Sequence, residues 1–463
     1  HRTQCNNSDM THQLSDASEH LPASVAERRA AGRKMRRSLP RRAVAKLAPR
    51  SREPLAILDE QNATRLEDLV PVRAERMSQS AFAFYRGSAA VMAADLADEP
   101  HTGIIVPSCG DAHVANFGFY ASPQRTLMFD LNDFDESAWA PWEWDLKRLV
   151  ASIVLAGRAT SREETVIRSA VNASVRAYAS ALAIDASPLD RFYAHFDAEA
   201  GLAALPIGSQ KTLRKAIKQA KRRTGDRAVK KLTETGPDGR LRFVSAPPMM
   251  QPLQPQIQHQ VFELNRRYLE ATSPEIRTLM QHYVLTDAIR RVVGVGSVGT
   301  RCALTLLQDG DGHALVMQSK EANRSVLEQY GGIAQPRILR ERIAELGEGA
   351  RVVGMQRILQ SVSDPFLGYL RADGVDLYVR QFHDMKGGFD MEVLGDEPFV
   401  SYAGACGVVL ARAHSQSPLA SIISGYLGSG RTFSESLWAW GNSYADRSEA
   451  DHAVFVERNA ASH

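Results

Sequence analysis

The chain has 463 residues, of which 44% are hydrophobic and 24% are charged. This composition is typical of a globular protein with a sizeable core, and the length allows two to four units of ordinary domain size. A net charge of +3 is too small to indicate a nucleic-acid-binding protein by itself, and the four widely spaced cysteines argue against a zinc knuckle or a disulfide framework.

The beginning of the chain is polar, and long apolar runs are missing throughout the sequence. A membrane span needs about eighteen or more consecutive apolar residues, and a secretory signal needs a shorter apolar segment near its start. The sequence therefore predicts neither a membrane span nor a secretory signal. The cytoplasm is the default location for such a protein.

Apolar spacing and turn residues predict an α+β chain without internal repeats. The basic N-terminal segment, 1–50, is expected to be partly flexible. Helical spacing follows at 52–77, 80–98 and 142–160, with further helices to about 200, and then at 211–231, 333–360, 401–417 and 434–459. Strand patterns occupy 102–111, 125–133, 287–322 and 376–388, and the prolines of 246–256 predict a linker.

A glycine-rich segment, VVGVGSVG at 292–299, contains Gly294, Gly296 and Gly299. The residues after it alternate as a strand up to a DGDG turn at 309–312, and a second strand then ends on Lys320. A glycine-rich hairpin followed by a strand with a lysine is the way in which protein kinases cover ATP phosphates. The alternative is an ordinary β-hairpin in which glycine allows curvature.

A second cluster of polar residues begins with CGDAHVANFG at 109–118 and continues with FDLNDFDES at 129–137. Asp111 precedes Asn116 by five residues, which is the spacing of a catalytic aspartate and a metal-binding asparagine in kinase loops. Asp133 follows on the next predicted strand, with Asp130 as an alternative metal ligand. Such a density of carboxylate and amide groups favours a hard metal ion such as Mg²⁺.

This region resembles the aminoglycoside and choline phosphotransferase branch of the protein-kinase-like fold. The branch carries a loop of the form HGDxHxxN, then a strand ending in an Asp-Phe-acid sequence, then a helix that begins with Asp-Leu. Here the corresponding residues are Gly110, Asp111, His113 and Asn116, then Asp133 to Asp135, then Asp145 and Leu146. The sequence departs from the pattern at Cys109, which stands where the branch usually has a loop-supporting histidine.

The chain as a whole, from about residue 30 to 460, also resembles the DUF2252 family of bacterial proteins. The stretches that carry this resemblance are RMSQSAFAFYRGSAAVMAADLA, CGDAHVANFG, SDPFLGY, YVRQFHDMKGG and LARAHSQS. The catalytic loop precedes the glycine segment here, whereas it follows that segment in ordinary kinases. The two resemblances together imply a two-lobe kinase-like α+β fold that is circularly permuted.

In that arrangement residues 51–275 form a helical C-lobe portion with the catalytic loop. Residues 276–395 form an N-lobe-like module with a small antiparallel sheet, and 396–463 are helices that return to the C-lobe. We expect Gly296 and Lys320 to converge with the residues of the catalytic loop on one cleft, although about 180 residues separate the two groups.

The resemblance implies a phosphotransferase that uses ATP and Mg²⁺ on an unidentified hydroxyl acceptor, either a small molecule or a peptide. Asp111 would orient or deprotonate the acceptor, and Asn116 and Asp133 would hold the metal. The nucleotide would be bound by Gly294, Gly296, Gly299, Lys320 and the backbone around Gln381 and His383. Glu328, Glu341 and Glu345 are candidates for the acidic partner of Lys320.

Three alternatives stay open: a metal-dependent phosphoesterase, a nucleotide-binding pseudokinase that acts as a scaffold, and nucleotidyl instead of phosphoryl transfer. The basic helix 211–231 is either a solvated face or a docking surface for an acidic partner. Arg86 either contacts a phosphate or pairs with an acid, and His113 is either a metal ligand or a support of the loop.

Overall fold

The computed structural model describes residues 22–51, 53–292, 294–372, 374–382 and 384–461. Within these ranges the protein is α+β, as the sequence predicts. No helix in the described ranges is long and apolar enough to cross a membrane. The predicted flexibility at the start of the chain concerns residues that in part lie outside the described ranges, and the predicted domain limits stay predictions.

Thirteen α-helices lie before residue 281 in the described part of the chain. They are α1 Val25–Met35, α2 Arg41–Val44, α3 Pro54–Asn62, α4 Val70–Ser78, α5 Ala81–Gly87, α6 Ala89–Ala97, α7 Trp142–Ala159, α8 Glu164–Ala183, α9 Pro188–Tyr193, α10 Ile207–Lys221, α11 Gly225–Leu232, α12 Pro255–Ala271 and α13 Pro274–Met280. The later helices are α14 Val326–Gln329, α15 Arg337–Leu346, α16 Glu348–Leu359, α17 Asp396–His414, α18 Ala420–Leu427 and α19 Arg431–Ala460.

Three two-stranded sheets lie in the first half of the chain. They pair β1 Ile105–Ser108 with β4 Ala138–Pro141, β2 Phe117–Ala121 with β3 Leu127–Leu131, and β5 Thr233–Thr235 with β6 Leu241–Phe243. The polar residues predicted from the sequence occupy the loop between β1 and β2 and the loop between β3 and β4. The pairing of β1 with β4 and of β2 with β3 therefore brings the two loops to one place.

A six-stranded antiparallel sheet lies in the second half of the chain, with the strand order β11-β12-β10-β9-β8-β7. Its strands are β7 Met250–Pro252, β8 Val284–Arg291, β9 Cys302–Gln308, β10 Ala314–Glu321, β11 Gly368–Ala372 and β12 Val375–Gln381. The glycine segment connects the antiparallel neighbours β8 and β9, and Lys320 lies on β10 opposite Tyr378 of β12. The glycines therefore lie between two strands, as predicted.

The principal core is helical and surrounds α7, which is buried over nearly its whole length. Helices α8 and α17 pack so closely in this core that a Cβ atom at Gly407 of α17 would overlap the carbonyl oxygen of Ser174 on α8. The buried polar residues of α7 are therefore held in a rigid frame, and two of them, Asp145 and Arg148, contact the loop between β1 and β2.

The sequence places most long elements correctly and differs from the structure at several boundaries. The predicted helix 333–360 is two helices, since Gly347 between them has φ of 86°. The predicted linker 246–256 contains β7, which pairs with β8 at the edge of the large sheet. The predicted basic helix 211–231 is likewise two helices, α10 and α11, separated by residues 222–224. The sequence analysis did not identify β2, β4, β5, β6, β11, α12, α13, α14 or α18.

A buried ion pair stabilises the packing of helix α7 in the core. Lys147 Nζ lies 2.5 Å from Glu99 Oε2, both side chains are 1% exposed, and Trp440 donates to the same carboxylate. We expect Lys147→Met to lower the free energy of unfolding by about 3–5 kcal/mol, because it leaves a buried carboxylate without its cation. Urea unfolding measures this change.

The exposed ion pair of Arg337 with Glu341 on α15 supplies the matched control. Arg337→Met should change the free energy of unfolding by less than about 1 kcal/mol, since solvent screens exposed pairs. Equal losses in Lys147→Met and Arg337→Met would show that burial of the Lys147 pair is not the stabilising factor.

Candidate active site

A cleft of about 850 Å³ lies between the large sheet and the two polar loops. Residues from both halves of the chain line it, although they are far apart in sequence. The lining includes Asp111, Asn116, Asp133, Gly294, Gly296, Lys320 and Gln381. The structure thus brings together seven of the nine residues predicted to bind nucleotide or metal or to act in catalysis; Gly299 does not line the cleft and His383 lies outside the described residues.

The loop between β1 and β2 is shaped by Asp145 on α7. Asp145 accepts hydrogen bonds from the backbone N–H groups of Cys109 at 2.6 Å and Gly110 at 2.8 Å. Gly110 has φ of 79°, and a Cβ atom at this position would overlap the carbonyl oxygen of Glu136. His414, which is fully buried, lies 3.1 Å from Asp145. The loop conformation is therefore set by a helix and a glycine, and the thiol of Cys109 adds contacts with the Asp133 carbonyl and the Asn116 amide.

The two predicted metal ligands are neighbours in this loop region. Asn116 Nδ2 donates to the carbonyl oxygens of Asp111 and Asp133, each at 3.0 Å, so the amide is oriented and its oxygen is left as the acceptor. Asp133 Oδ1 accepts no hydrogen bond from a described residue and lies 3.5 Å from Lys320 Nζ. Lys320 and Arg380 lower the pKa of Asp133 against the effect of desolvation, which keeps this carboxylate ionised; its side chain is 41% exposed.

The alternative metal ligand, Asp130, has a different environment. Its side chain is fully buried and accepts hydrogen bonds from Leu131 N–H and from both the N–H and the hydroxyl of Ser361. Burial raises the pKa of Asp130. Because it is engaged in these bonds and does not line the cleft, the geometry favours Asp133 over Asp130 as a ligand.

Lys320 pairs with aspartates instead of a helical glutamate. Its Nζ lies 2.6 Å from Asp135 Oδ2, and Tyr378 donates to the other oxygen of Asp135 at 2.5 Å. The predicted partners Glu328, Glu341 and Glu345 are wrong: the first two pair with Arg324 and Arg337, and Glu345 is exposed. The acidic partner of Lys320 is therefore Asp135, from the same segment as Asp133, a possibility that the sequence analysis did not consider.

The glycine segment divides into a part that lines the cleft and a part that packs elsewhere. Gly294 and Gly296 line the cleft. Gly299 has φ of 93°, packs against the side chain of Arg65, and accepts a hydrogen bond from Leu66 N–H through its carbonyl. Gly299 therefore anchors the segment to the N-terminal helices and is not in a position to approach a ligand in the cleft.

The predicted hinge enters the cleft at Gln381. Its backbone N–H donates to Asp364 at 2.6 Å, and the N–H of Phe382 donates to Val316. These two donors are therefore already engaged within the protein. His383, the other hinge residue that we predicted, lies outside the described residues.

Asp111 is paired with a buried cation that the sequence analysis missed. Arg148, one helical turn beyond Asp145 on α7, has Nη2 2.7 Å and Nε 2.9 Å from Asp111 Oδ1. His113 Nε2 lies 3.6 Å from the other oxygen, Oδ2, and burial lowers the pKa of His113 to about 4. The spacing of Asp145 and Arg148, three residues apart on a helix, is the signal that could have indicated a second contact with the loop.

Two further cations, Arg380 and Lys386, line the cleft. Arg380 donates to Gln318 at 3.1 Å, and Lys386 belongs to the segment after β12. Burial, and then the neighbouring Arg380, lower the pKa of Lys386 to about 7, although Asp133 opposes this effect. Lys386 lies in the quoted stretch YVRQFHDMKGG, where the lysine before two glycines was the available signal.

Fold and site together define an α+β protein whose cleft combines a carboxylate-rich loop region with a glycine segment and a lysine on a sheet. A family model described as "Uncharacterized protein conserved in bacteria (DUF2252)" matches residues 65–458. The chain belongs to this family. No curated protein and no solved structure matches the chain.

Proposed function

We propose that the protein is an ATP- and Mg²⁺-dependent phosphotransferase with a circularly permuted, protein-kinase-like fold. One observation carries the proposal: Lys320 and the glycine segment share a cleft with Asp111, Asn116 and Asp133, although the two groups are remote in sequence. Kinases use these elements for the phosphates, the acceptor and the metal ions. The other candidate, a phosphoesterase, leaves the glycine segment and Lys320 without a role.

The order of the elements supports a permutation. The loop with Asp111 and Asn116 comes first, and the strands β8 to β10 with the glycine segment and Lys320 come later. Helices α15 and α16 lie between β10 and β11, where a kinase has the helix after its lysine strand. Helix α17 then follows the hinge strand β12 and packs in the core that holds Asp145.

The residues present fit a magnesium ion. Mg²⁺ prefers hard oxygen ligands and usually takes one or two carboxylates together with phosphate oxygens and water. The carboxylate of Asp133 is ionised and has an oxygen without a hydrogen bond, and the amide oxygen of Asn116 is oriented by two donor contacts. The described residues contain no group of three or more His, Cys, Asp or Glu side chains arranged for a metal.

When bound, magnesium supplies positive charge that neutralises the phosphates in phosphoryl transfer. The protein's own residues position the reactants. Lys320 and Arg380 provide fixed positive charge on the sheet side of the cleft. The N–H groups near Gly294 and Gly296 are accessible because no Cβ atom blocks a close approach.

Asp111 orients the acceptor hydroxyl. Arg148 holds one carboxylate oxygen, Oδ1, so Oδ2 is the oxygen that can accept the hydroxyl proton. The acceptor oxygen forms a bond to the γ-phosphorus, the bond from that phosphorus to ADP breaks, and the proton passes to Asp111. Positioning and charge stabilisation, rather than a covalent intermediate, account for the rate.

We expect Mg²⁺ with ATP to raise the melting temperature, because a ligand that binds only the native state stabilises it by about 2.7 kcal/mol at a hundred times its Kd. Lys320→Met should reduce this shift by removing a phosphate contact, whereas Arg337→Met on α15 should not. Thermal-shift series with ATP, GTP and magnesium measure the effect. No shift with any nucleotide at millimolar concentration would reject the nucleotide site, and phosphatase activity without nucleotide would favour the phosphoesterase.

Nucleotide affinity should depend on pH through Lys386. Because the pKa of this lysine in the free protein is about 7, it is protonated below that pH and largely neutral above it. A triphosphate favours the protonated form, so its affinity should decrease as the pH rises through about 7. Arg stays charged throughout, and Lys386→Arg should therefore remove most of this dependence. Equal pH profiles for both proteins, measured by calorimetric titration with Mg·ATP, would contradict the role of Lys386.

A further inference from the structure

Like Arg291, Arg86 lines the cleft without an acidic partner among the described residues. Its side chain makes no hydrogen bond or ion pair with any described residue, and its buried Nε atom has no acceptor. By contrast, Lys320 pairs with Asp135, Arg125 pairs with Asp384, and Arg380 donates to Gln318. Burying a cation without a partner is costly, so a protein that keeps one at a ligand cleft has a use for it.

The backbone of Arg86 is held beside the proposed catalytic aspartate. Its neighbour Tyr85 accepts a hydrogen bond from Arg148 through its carbonyl at 2.8 Å, and the guanidinium of Arg148 lies 3.9 Å from the centre of the Tyr85 ring. Arg148 in turn binds Asp111. The end of helix α5, which carries Arg86, is thus connected to Asp111 through one buried residue.

The charge of Arg86 is not required to neutralise Asp111, since Arg148 already pairs with that carboxylate. Burial lowers the pKa of Arg86, and the charge of Asp111 is the main effect that opposes this. The link through Tyr85 and Arg148 places Arg86 at the Asp111 end of the cleft. Lys320, Arg380 and Lys386 are instead the cations that act on Asp133.

His113 adds a second unpartnered polar group at the same end. It is 6% exposed, lines the cleft, and has a buried Nδ1 atom without a hydrogen-bond partner among the described residues. Asp111 and Arg86 are the two charged groups that act most strongly on it. An orphan imidazole nitrogen and an orphan guanidinium beside one carboxylate form a site for a polar ligand with an acidic group.

We propose that the acceptor is a hydroxyl compound that also carries an anionic group, a phosphate or a carboxylate, and that Arg86 binds this group. The inference rests on the proposed function, since it assigns the acceptor side of the same cleft. Arg86 lies near the end of α5, where its carbonyl lies against Gly296 and Tyr85 and Arg148 connect it to Asp111. The proposal assigns its guanidinium to the acceptor, so nucleotide affinity should not depend on it.

Inorganic phosphate and acetate serve as probes in calorimetric titrations of the full chain, with the nucleotide site filled by Mg²⁺ and a non-hydrolysable ATP analogue. We expect the wild-type protein to bind at least one of the two anions. Arg86→Met should weaken that binding by about tenfold or more, because a charge-assisted contact is lost. Arg86→Lys should retain part of the affinity, and Arg340→Met, at an exposed position on α15, should retain all of it.

The preferred anion identifies the acidic group of the acceptor. Failure of both anions to bind, or equal affinity in wild type and Arg86→Met, would overturn the inference. An equal loss of nucleotide affinity in Arg86→Met would also overturn it, because Arg86 would then belong to the triphosphate site. If the wild-type protein binds no nucleotide, the proposed function fails, whereas Arg86-dependent phosphate binding by the free protein still supports an anion site.

Discussion

Replacing Asp133 by asparagine should weaken binding of Mg·ATP by about tenfold or more and reduce turnover by at least a further factor of about ten. The substitution keeps the size of the side chain but removes the charge of the proposed metal ligand. Lys320 retains its 2.6 Å contact with Asp135, so the sheet side of the cleft should stay intact. Nucleotide titrations with and without magnesium measure the effect, together with ATP turnover.

Two matched substitutions make this result specific. Asp311→Asn, in the exposed turn between β9 and β10, should change neither binding nor turnover. Asp130→Asn should leave magnesium-dependent binding in place in the folded protein, because Asp130 is buried against Ser361. If Asp130→Asn abolishes the magnesium dependence while Asp133→Asn preserves it, the metal ligand has been assigned to the wrong aspartate.

Asp111→Asn should impair transfer rather than nucleotide binding, in contrast to Asp133→Asn. Nucleotide affinity should survive, since Asp111 faces the acceptor, while transfer should decrease by about 10²-fold or more if proton acceptance contributes to the rate. The change leaves Arg148 without its carboxylate, although Arg148 keeps its contacts with Tyr85. Some loss of stability should therefore accompany the loss of activity.

The measurement compares Kd for Mg·ATP with the rate of phosphate transfer or, until an acceptor is known, with slow ATP hydrolysis. A catalytic base acts mainly in the transition state, whereas a metal ligand already acts when the nucleotide binds, so the two variants should separate. Wild-type turnover in both Asp111→Asn and Asp133→Asn would show that the acidic cluster serves another purpose.

Local sequence patterns were sufficient for much of the fold. Helix α7 was predicted within one residue of its end, because its apolar face has strong 3.6-residue periodicity and an acidic first turn. The glycine segment was correctly placed between strands, since alternation resumes at Cys302 and a DGDG turn follows. Short strands such as β2 and β4 escaped prediction because segments of four or five residues, three of them buried, carry no distinct period.

Most of the residues that converge in the cleft could also be named from the sequence, because the residue types of a motif and their spacing are visible in the sequence. Their partners could not be named. Asp135 instead of a helical glutamate meets Lys320, and Arg148 meets Asp111, because packing of β10 and α7 against the polar loops brings these side chains together. An ion pair between residues 185 positions apart leaves no local pattern in a chain.

The sequence by itself determined the family, the α+β class and most of the predicted site residues that line the cleft, since these depend on residue types and on short-range spacing. Only the tertiary structure decided that Asp130 is buried beneath Ser361 while Asp133 lines the cleft, and that Arg86 is left without an acid. The physical reason is that burial and pairing are properties of the surroundings: a charge is costly or useful according to which groups the fold places within a few ångströms of it.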